Sequence, residues 1–381
     1  MKKWGIISLF YIFSLFQILI NRFYSTGTSD DIELISLWCL KTLYMKKNSL
    51  LLSAKGFFIA ACLSFNMLAY AQKTADISTI SEKTLNSILE KNRTYYTQGK
   101  VADYIPELGK MDANAVAFSV VENNGKIVNV GDVHKKFTMQ SISKIIALMI
   151  AVTEKGEANV FDKMGYFGTD RPFNHFSNLE TTGKPLNPMM NAGAILTTSL
   201  ISGEGEKPFL KILEMVRYIT KDPTIDYSKS VYESEKSTGH RNRGMFYLMK
   251  NNGLISGNED QLDNYFKQCS IELTTEDLAK IGYFFANQCV RFDGDATYKN
   301  PDIAKLVESQ MLIAGMYEFS GEYARTVGLP SKSGVGGGIT VSVPGKMGIG
   351  VFSPALDKHG NSLVGYRMIL DLVKQYNLSV F

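Results

Sequence analysis

The sequence predicts an α+β protein in which one antiparallel sheet is assembled from both ends of the chain, with a helical lobe inserted between them. Two hairpin patterns support this prediction, one over 115–131 that turns at 123–125 and one over 338–353 that turns at 344–345. Between them, residues 208–290 alternate charged and apolar positions in a mostly helical pattern. Because the hairpins lie far apart in the chain, the sheet requires long-range pairing between them.

Three more helices complete the prediction. Apolar residues at helical spacing predict a helix over 80–95, before the first hairpin. The run 145–152 is apolar on all sides, which is typical of a core helix, and Gly156 predicts its end. A final helix is expected over roughly 361–376. The helices would then cover the faces of the sheet.

Charge and size limit the class of function. The chain of 381 residues contains 41 Lys and Arg and 37 Asp and Glu. Seven of the basic and three of the acidic residues lie in 1–71, which leaves 34 of each in the remainder. A formally neutral body lacks the clustered basic surface of a nucleic-acid-binding protein, and its length suits one large domain or two lobes.

Cysteine and histidine spacing argues against disulfides and metals. Only Cys269 and Cys289 lie in the body, and we expect both to be buried free thiols. The four histidines are scattered singly, at positions 134, 175, 240 and 359. No metal site is expected from this spacing.

The first 71 residues have the pattern of a leader. A basic start at Lys46 and Lys47, an apolar run and a small-x-small end at 69–71 predict a secretory signal peptide over 45–71, cleaved after Ala71. Residues 1–44 would then lie upstream of the true start, and 72–381 would form the catalytic domain. We therefore expect an exported protein of the bacterial periplasm rather than a cytoplasmic one.

Two alternatives for the leader remain open. The apolar stretches could stay in the membrane as helices, although the core of the second is shorter than the ~20 residues that span a bilayer. Ile59-Ala-Ala-Cys62 also resembles a lipobox, but the residues after Cys62 stay apolar where a lipoprotein turns polar. The prediction is a mature chain without a stable membrane span.

A Ser-x-x-Lys step at Ser141 and Lys144 is the first candidate for chemistry. The spacing places a hydroxyl and an amine one helical turn apart on one face. Burial beside the apolar run 145–152 would lower the pKa of the ammonium and let the amine act as a base. In most chains the same pattern is an ordinary solvated helix turn, so the other motifs of the chain decide whether this pair is catalytic.

A second motif, Lys332-Ser333-Gly334, is followed by a glycine-rich stretch and the second hairpin. Ser-x-x-Lys followed by such a Lys-Ser-Gly strand is typical of penicillin-binding proteins and serine β-lactamases. Glycines allow close backbone approach and leave N–H groups to face an oxyanion. The third lactamase motif, Ser-Asp-Asn, does not occur in the chain.

Seven segments in order resemble the serine-dependent glutaminases, a family with a β-lactamase-like fold. They begin at Val101, Gln140, Asn187, Ser234, Asp263, Gly315 and Lys332. The resemblance covers about residues 80–380. It implies hydrolysis of L-glutamine to L-glutamate and ammonia without a metal or organic cofactor, in a homodimer or homotetramer.

The resemblance also implies the residues of the reaction. Ser141 would be the nucleophile and Lys144 its base, with Tyr317 as a second proton-transfer partner. The backbone N–H groups of Ser141 and Val335 would form the oxyanion hole. The side chains implied to hold the substrate are Tyr104, Asn191, Glu235, Asn242 and Tyr265.

These binding residues suit free glutamine. Glu235 can pair with its α-ammonium, while Asn191, Asn242 and a tyrosine hydroxyl can donate to its α-carboxylate. Taken singly, Glu235 would be a solvated helix charge, Tyr265 a core residue and Asn191 a helix cap.

One departure and two rival functions remain. Residues 167–174 differ from the Glu-Pro-Ser-Gly pattern frequent in the family, so the loop there is expected to be reshaped. The rivals are a β-lactamase or peptidoglycan peptidase, and a non-catalytic sensor of the same fold.

Overall fold

The computed structural model describes residues 79–381, so the predictions for the leader lie outside the described residues. Between residues 79 and 381 lie seven strands: β1 (Ala117–Glu122), β2 (Ile127–Gly131), β3 (Phe137–Thr138), β4 (Glu272–Leu273), β5 (Ser331–Ser333), β6 (Gly338–Val343) and β7 (Met347–Phe352). The same residues contain thirteen α-helices: α1 (Glu82–Arg93), α2 (Ser143–Lys155), α3 (Glu157–Phe161), α4 (Ser177–Thr181), α5 (Asn191–Leu200), α6 (Lys207–Thr220), α7 (Lys229–Thr238), α8 (His240–Asn251), α9 (Asp260–Cys269), α10 (Thr275–Ala286), α11 (Pro301–Ala314), α12 (Ser320–Thr326) and α13 (Leu363–Tyr376).

The main sheet has the strand order β2-β1-β7-β6-β5, with antiparallel pairs throughout. β1 and β7 join the two hairpins, and Ala117 lies opposite Phe352. The predicted sheet built from both ends of the chain is therefore confirmed. A small second sheet pairs β3 with β4, where Phe137 lies opposite Leu273; the sequence pattern does not predict this pair.

Side chains alternate along each strand, so apolar residues lie on both faces of the sheet. Helices cover both faces and bury these residues. On one face, Phe118 and Ile349 belong to the apolar core shared with α1 and α13. On the other face, Val121 packs with Ala279 and Tyr283 of α10. This arrangement of layers is α+β, as predicted.

The predicted helix boundaries hold with small shifts. The first helix begins at Glu82 rather than residue 80, because the Ser81 hydroxyl accepts a hydrogen bond from the N–H of Thr84 at 3.1 Å. The apolar run 145–152 lies inside α2, which is buried through Val152. It ends at Gly156, whose φ of +80° suits glycine.

Among residues 79–381, no helix is long and apolar enough to cross a bilayer. Cys269 and Cys289 are buried, as predicted, and both are free thiols within residues 79–381. Within the same range, no three His, Cys, Asp or Glu side chains cluster as metal ligands would.

Candidate active site

Ser141 lies in a short 3₁₀ turn, Gln140–Ile142, between β3 and α2. The preceding residue, Gln140, has a φ of +48°, a conformation that is uncommon for a non-glycine residue and clusters at functional sites. The Ser143 hydroxyl donates to the carbonyl of Gln140 at 2.8 Å and stabilises this turn. The chain therefore presents Ser141 just before the first turn of the core helix.

Lys144 is fully enclosed beside this serine. Its Nζ donates to the carbonyl of Met189 at 2.9 Å and to Asn191 Oδ1 at 2.8 Å. Burial lowers the pKa of Lys144 to about 8, so about a tenth of the lysine is neutral at pH 7. These two hydrogen bonds hold the amine in place.

Lys332 and Tyr317 form a second buried pair nearby. Lys332 Nζ donates to the carbonyls of Gly315 at 3.0 Å and Ser333 at 2.6 Å, and lies 4.3 Å from the centroid of the Tyr317 ring. Burial, and then the charge of Lys144, hold the pKa of Lys332 well below its usual value. Burial also raises the pKa of Tyr317 to about 12, although hydrogen bonding with the side chain of Ser141 partly opposes the rise. The Tyr317 hydroxyl is therefore adjacent to the side chain of Ser141.

The glycine-rich stretch after β5 packs against the turn that carries Ser141. A Cβ on Gly334 would lie 2.4 Å from the carbonyl oxygen of Met139, and one on Gly336 would lie 2.5 Å from that of Thr138. Only glycine allows this approach. Between them, the N–H of Val335, like that of Ser141, donates no hydrogen bond within residues 79–381.

A pocket of about 120 Å³ opens onto Ser141. Seven of the nine predicted site residues line it: Tyr104, Ser141, Asn191, Glu235, Asn242, Tyr265 and Val335. The other two, Lys144 and Tyr317, lie buried behind its wall. The structure thus brings together residues that are up to 231 positions apart, from Tyr104 to Val335.

Two asparagines of the pocket, one on α5 and one on α8, form a chain of hydrogen bonds with Lys144. Asn191 accepts from Lys144 through Oδ1 and donates through Nδ2 to Asn242 Oδ1 at 3.1 Å. Since both groups of the Asn191 amide are used, its orientation is fixed. The Nδ2 group of Asn242 has no partner within residues 79–381, so it remains available to a ligand in the pocket.

Glu235 is the acid of the pocket. It lies on α7 with a buried side chain, and its Oε2 has no hydrogen-bond partner among the described residues. Burial raises its pKa to about 7, although the neighbouring Gln140 side chain and the charge of Lys144 oppose the rise. A buried carboxylate oxygen without a partner is costly, and a cationic group on a ligand would compensate it.

Several residues that line the pocket were not predicted from the sequence. Phe173 and Asn174 line the wall, so the divergent 167–174 segment does reach the pocket. Arg241 holds this segment by donating from Nε to the carbonyl of Asn174 at 2.7 Å. Cys269 also lines the pocket. It lies one helical turn after Tyr265 on α9, and this spacing could have predicted that both residues face the pocket.

The fold and the site together define a class. An antiparallel sheet with an inserted helical lobe, a buried Ser-x-x-Lys step and a Lys-Ser-Gly strand are the features of serine hydrolases with the β-lactamase-like fold.

Comparison with known proteins gives the family. The glutaminase family model matches residues 99–381, and the chain belongs to this family. A glutaminase from Clostridium botulinum is 47% identical over 304 residues, which cover 78% of this chain and 99% of that protein.

Solved structures agree with this assignment. A probable glutaminase from Bacillus subtilis superposes with a TM-score of 0.73 at 34% identity, covering 78% of this chain and 96% of that one. A second Bacillus subtilis glutaminase structure, a covalent complex with 5-oxo-L-norleucine formed by reaction with 6-diazo-5-oxo-L-norleucine, has a TM-score of 0.71 at 34% identity and covers 78% and 98%.

Proposed function

We propose that this protein is an amidohydrolase that converts L-glutamine to L-glutamate and ammonia. The observation that carries the proposal is the pocket beside Ser141, in which the buried carboxylate of Glu235, with one oxygen unpaired, lies with the oriented amide of Asn242. A free amino acid brings one ammonium and one carboxylate, and these groups satisfy both partners. The pocket of about 120 Å³ suits a small ligand.

The relatives support the same substrate. The Bacillus subtilis protein reacts covalently with 6-diazo-5-oxo-L-norleucine, which has the glutamine skeleton with a diazoketone in place of the side-chain amide. A covalent adduct at that end of the molecule is the outcome expected of a nucleophile that attacks the amide carbonyl. Ser141 is the nucleophile that we propose here.

In the first half of the reaction, Ser141 Oγ attacks the side-chain carbonyl carbon of glutamine while neutral Lys144 accepts the hydroxyl proton. The N–H groups of Ser141 and Val335 stabilise the negative oxygen that forms. The C–N bond then breaks, and the amide nitrogen leaves as ammonia after it receives that proton from Lys144, either directly or relayed through the Tyr317 hydroxyl.

In the second half, water attacks the glutamyl ester on Ser141. Lys144, neutral again after the proton has left with ammonia, accepts a proton from this water. The ester C–O bond breaks, the proton returns to Ser141 Oγ, and glutamate leaves. Each proton taken by Lys144 is returned within the cycle, so no cofactor is required for this route.

The activity is tested by ammonia release from the purified protein. We expect release from glutamine at a rate that Ser141→Ala abolishes, while a chromogenic β-lactam stays intact. Hydrolysis of the β-lactam without ammonia release would favour the lactamase or peptidase alternative. A wild-type rate no faster than that of Ser141→Ala would instead favour the sensor alternative.

We also propose that the protein is exported to the periplasm and works as a homodimer or homotetramer. The pattern of basic, apolar and small residues over 45–71 supports export. N-terminal sequencing of the mature protein should find Gln72 first, and a start well before it would contradict cleavage there. Light scattering of the purified protein measures the number of subunits, and a monomeric mass would contradict the assembly.

A further inference from the structure

A tight turn over residues 357–361, between β7 and α13, lies behind the pocket wall. Asp357 Oδ1 accepts from the N–H groups of His359 at 2.8 Å and Asn361 at 3.0 Å. The N–H of Gly360 donates to the Asp357 carbonyl at 3.1 Å, and the N–H of Asp357 donates to the Asn361 carbonyl at 2.8 Å. The turn is therefore closed on itself and presents His359 in a fixed direction.

His359 is directed at the segment that carries Tyr317. Its Nδ1 lies 3.1 Å from Glu318 Oε1, and its ring stacks on Phe319 with centroids 5.2 Å apart and an interplanar angle of 19°. Both members of the contact are mostly shielded, with exposed fractions of 23% for His359 and 20% for Glu318. Shielding from water strengthens the contact relative to a surface pair.

The same turn touches the pocket wall from behind. Asn361 Nδ2 donates to the carbonyl of Met316, the residue before Tyr317, at 3.5 Å. A Cβ placed on Gly360 would lie 3.7 Å from a methyl carbon of Val335 and 3.8 Å from the Phe173 ring. The turn thus contacts the Tyr317 segment, and its Gly360 lies near the loop of Val335 and the ring of Phe173, whose centroid lies 4.8 Å from that of the Tyr317 ring.

Tyr317 needs such support because of its backbone. Its φ is +59°, in the left-handed region that an aromatic residue rarely adopts. Strained conformations of this kind persist only where the surrounding contacts over-determine them. The Ser320 hydroxyl supports the Tyr317 segment by donating to the Tyr317 carbonyl at 2.7 Å, and the His359–Glu318 contact joins the same segment to the 357–361 turn.

We propose that His359 and Glu318 are a positioning pair that fixes the Tyr317 hydroxyl in its place beside Ser141. The proposal rests on the proton-transfer role proposed above for Tyr317. Neither member of the pair lines the pocket, so both act through other residues. Their loss disturbs the chemical step more than the binding of glutamine.

The test separates kcat from KM in the full chain. His359→Ala should lower kcat about tenfold and leave KM within about twofold, since small displacements of a catalytic group cost rate. His359→Asn places an amide donor near the position of Nδ1 and should recover kcat to within about threefold of wild type. His134→Ala, which removes an exposed histidine, is the matched control and should behave as wild type.

Two results would overturn the proposal. One is a wild-type kcat in a folded His359→Ala protein. The other is an Asn variant as slow as the Ala variant, which would assign the effect to ring packing on Phe319 instead of the contact with Glu318. Thermal melting of each variant establishes that it is folded before kinetics are compared.

Tyr317→Phe separates this proposal from the proposed role of Tyr317. A wild-type kcat in Tyr317→Phe would refute the role of the hydroxyl. If that variant is slow while His359→Ala is not, only the positioning pair fails. We expect Tyr317→Phe combined with His359→Ala to be no slower than Tyr317→Phe alone, because the pair acts through that hydroxyl.

Discussion

The two walls of the pocket are built in different ways. On the helical side, Asn191, Glu235 and Asn242 belong to α5, α7 and α8 and present polar side chains from regular backbone. On the sheet side, the wall depends on backbone in unusual conformations, with positive φ at Gln140 and Tyr317. The helical wall offers polar side chains to a ligand, and the sheet wall fixes Ser141 and the N–H groups of Ser141 and Val335.

This difference separates two tasks. Side chains on helices can change without disturbing their backbone, so they are suited to setting which molecule binds. A strained turn keeps its shape only with all its contacts, so it is suited to geometry that must not vary. Substitutions on the sheet side should therefore affect kcat, and those on the helical side should affect KM.

The largest effect is expected from Ser141→Ala. Removal of the proposed nucleophile should lower kcat by at least about 10⁴-fold, because the remaining groups would only bind and polarise the amide. Calorimetric titration should still show glutamine binding through the helical wall. Residual turnover within tenfold of wild type would contradict the acyl-enzyme route.

The second largest effect is expected from Lys144→Ala, which should lower kcat by about 10³-fold because it removes the proposed general base. The matched control is Lys155→Ala, at the exposed end of the same helix, which should keep wild-type kcat. Both are measured by ammonia release. An unchanged kcat in Lys144→Ala would transfer the base role to another group, and Lys332 would be tested next.

On the helical wall, Glu235→Gln should raise KM for glutamine about 10²-fold, since the amide keeps the shape of the carboxylate but lacks its charge. The value of kcat should change much less. A fall in kcat of about 10²-fold at constant KM would instead show that Glu235 acts in the chemical step, as predicted for residues of the sheet wall. Melting temperatures check that the variant is folded.

The pH dependence gives the smallest of these effects. Burial lowers the pKa of Lys144 to about 8, and the base works in its neutral form, so kcat should rise with pH and level off above that value. Well below pH 8 the rise should be about tenfold per pH unit. A kcat that is flat between pH 6 and 8 would contradict a lysine base with this pKa.

The sequence predicted the sheet well because its signals are local. Each hairpin combines alternating apolar residues with a turn, and the order of hairpin, helices and hairpin leaves few ways to form one sheet. The pair β3 and β4 was missed because strands of two residues each carry no periodicity. Pairing of that length is decided by tertiary contacts.

The site was predicted in its residue types but not in its contacts. Ser141 and Lys144 carry a motif, and seven of the nine predicted residues do line one pocket. No local signal marks the positive φ of Gln140 and Tyr317, since neither is glycine. In the sequence, His359 is an isolated histidine that belongs to no motif. Only the fold brings it to its partner, Glu318.

The sheet order has a consequence for how the protein is made. β1 bonds to β7, so a strand made early must wait until nearly the whole chain has been synthesised before it is paired on that side. Lys332 and the glycines that pack against the turn of Ser141 arrive almost as late. A ribosome-bound chain that stops before β5 would therefore hold Ser141 without the N–H of Val335, and folding of the complete chain should be slow because its decisive contacts span most of its length.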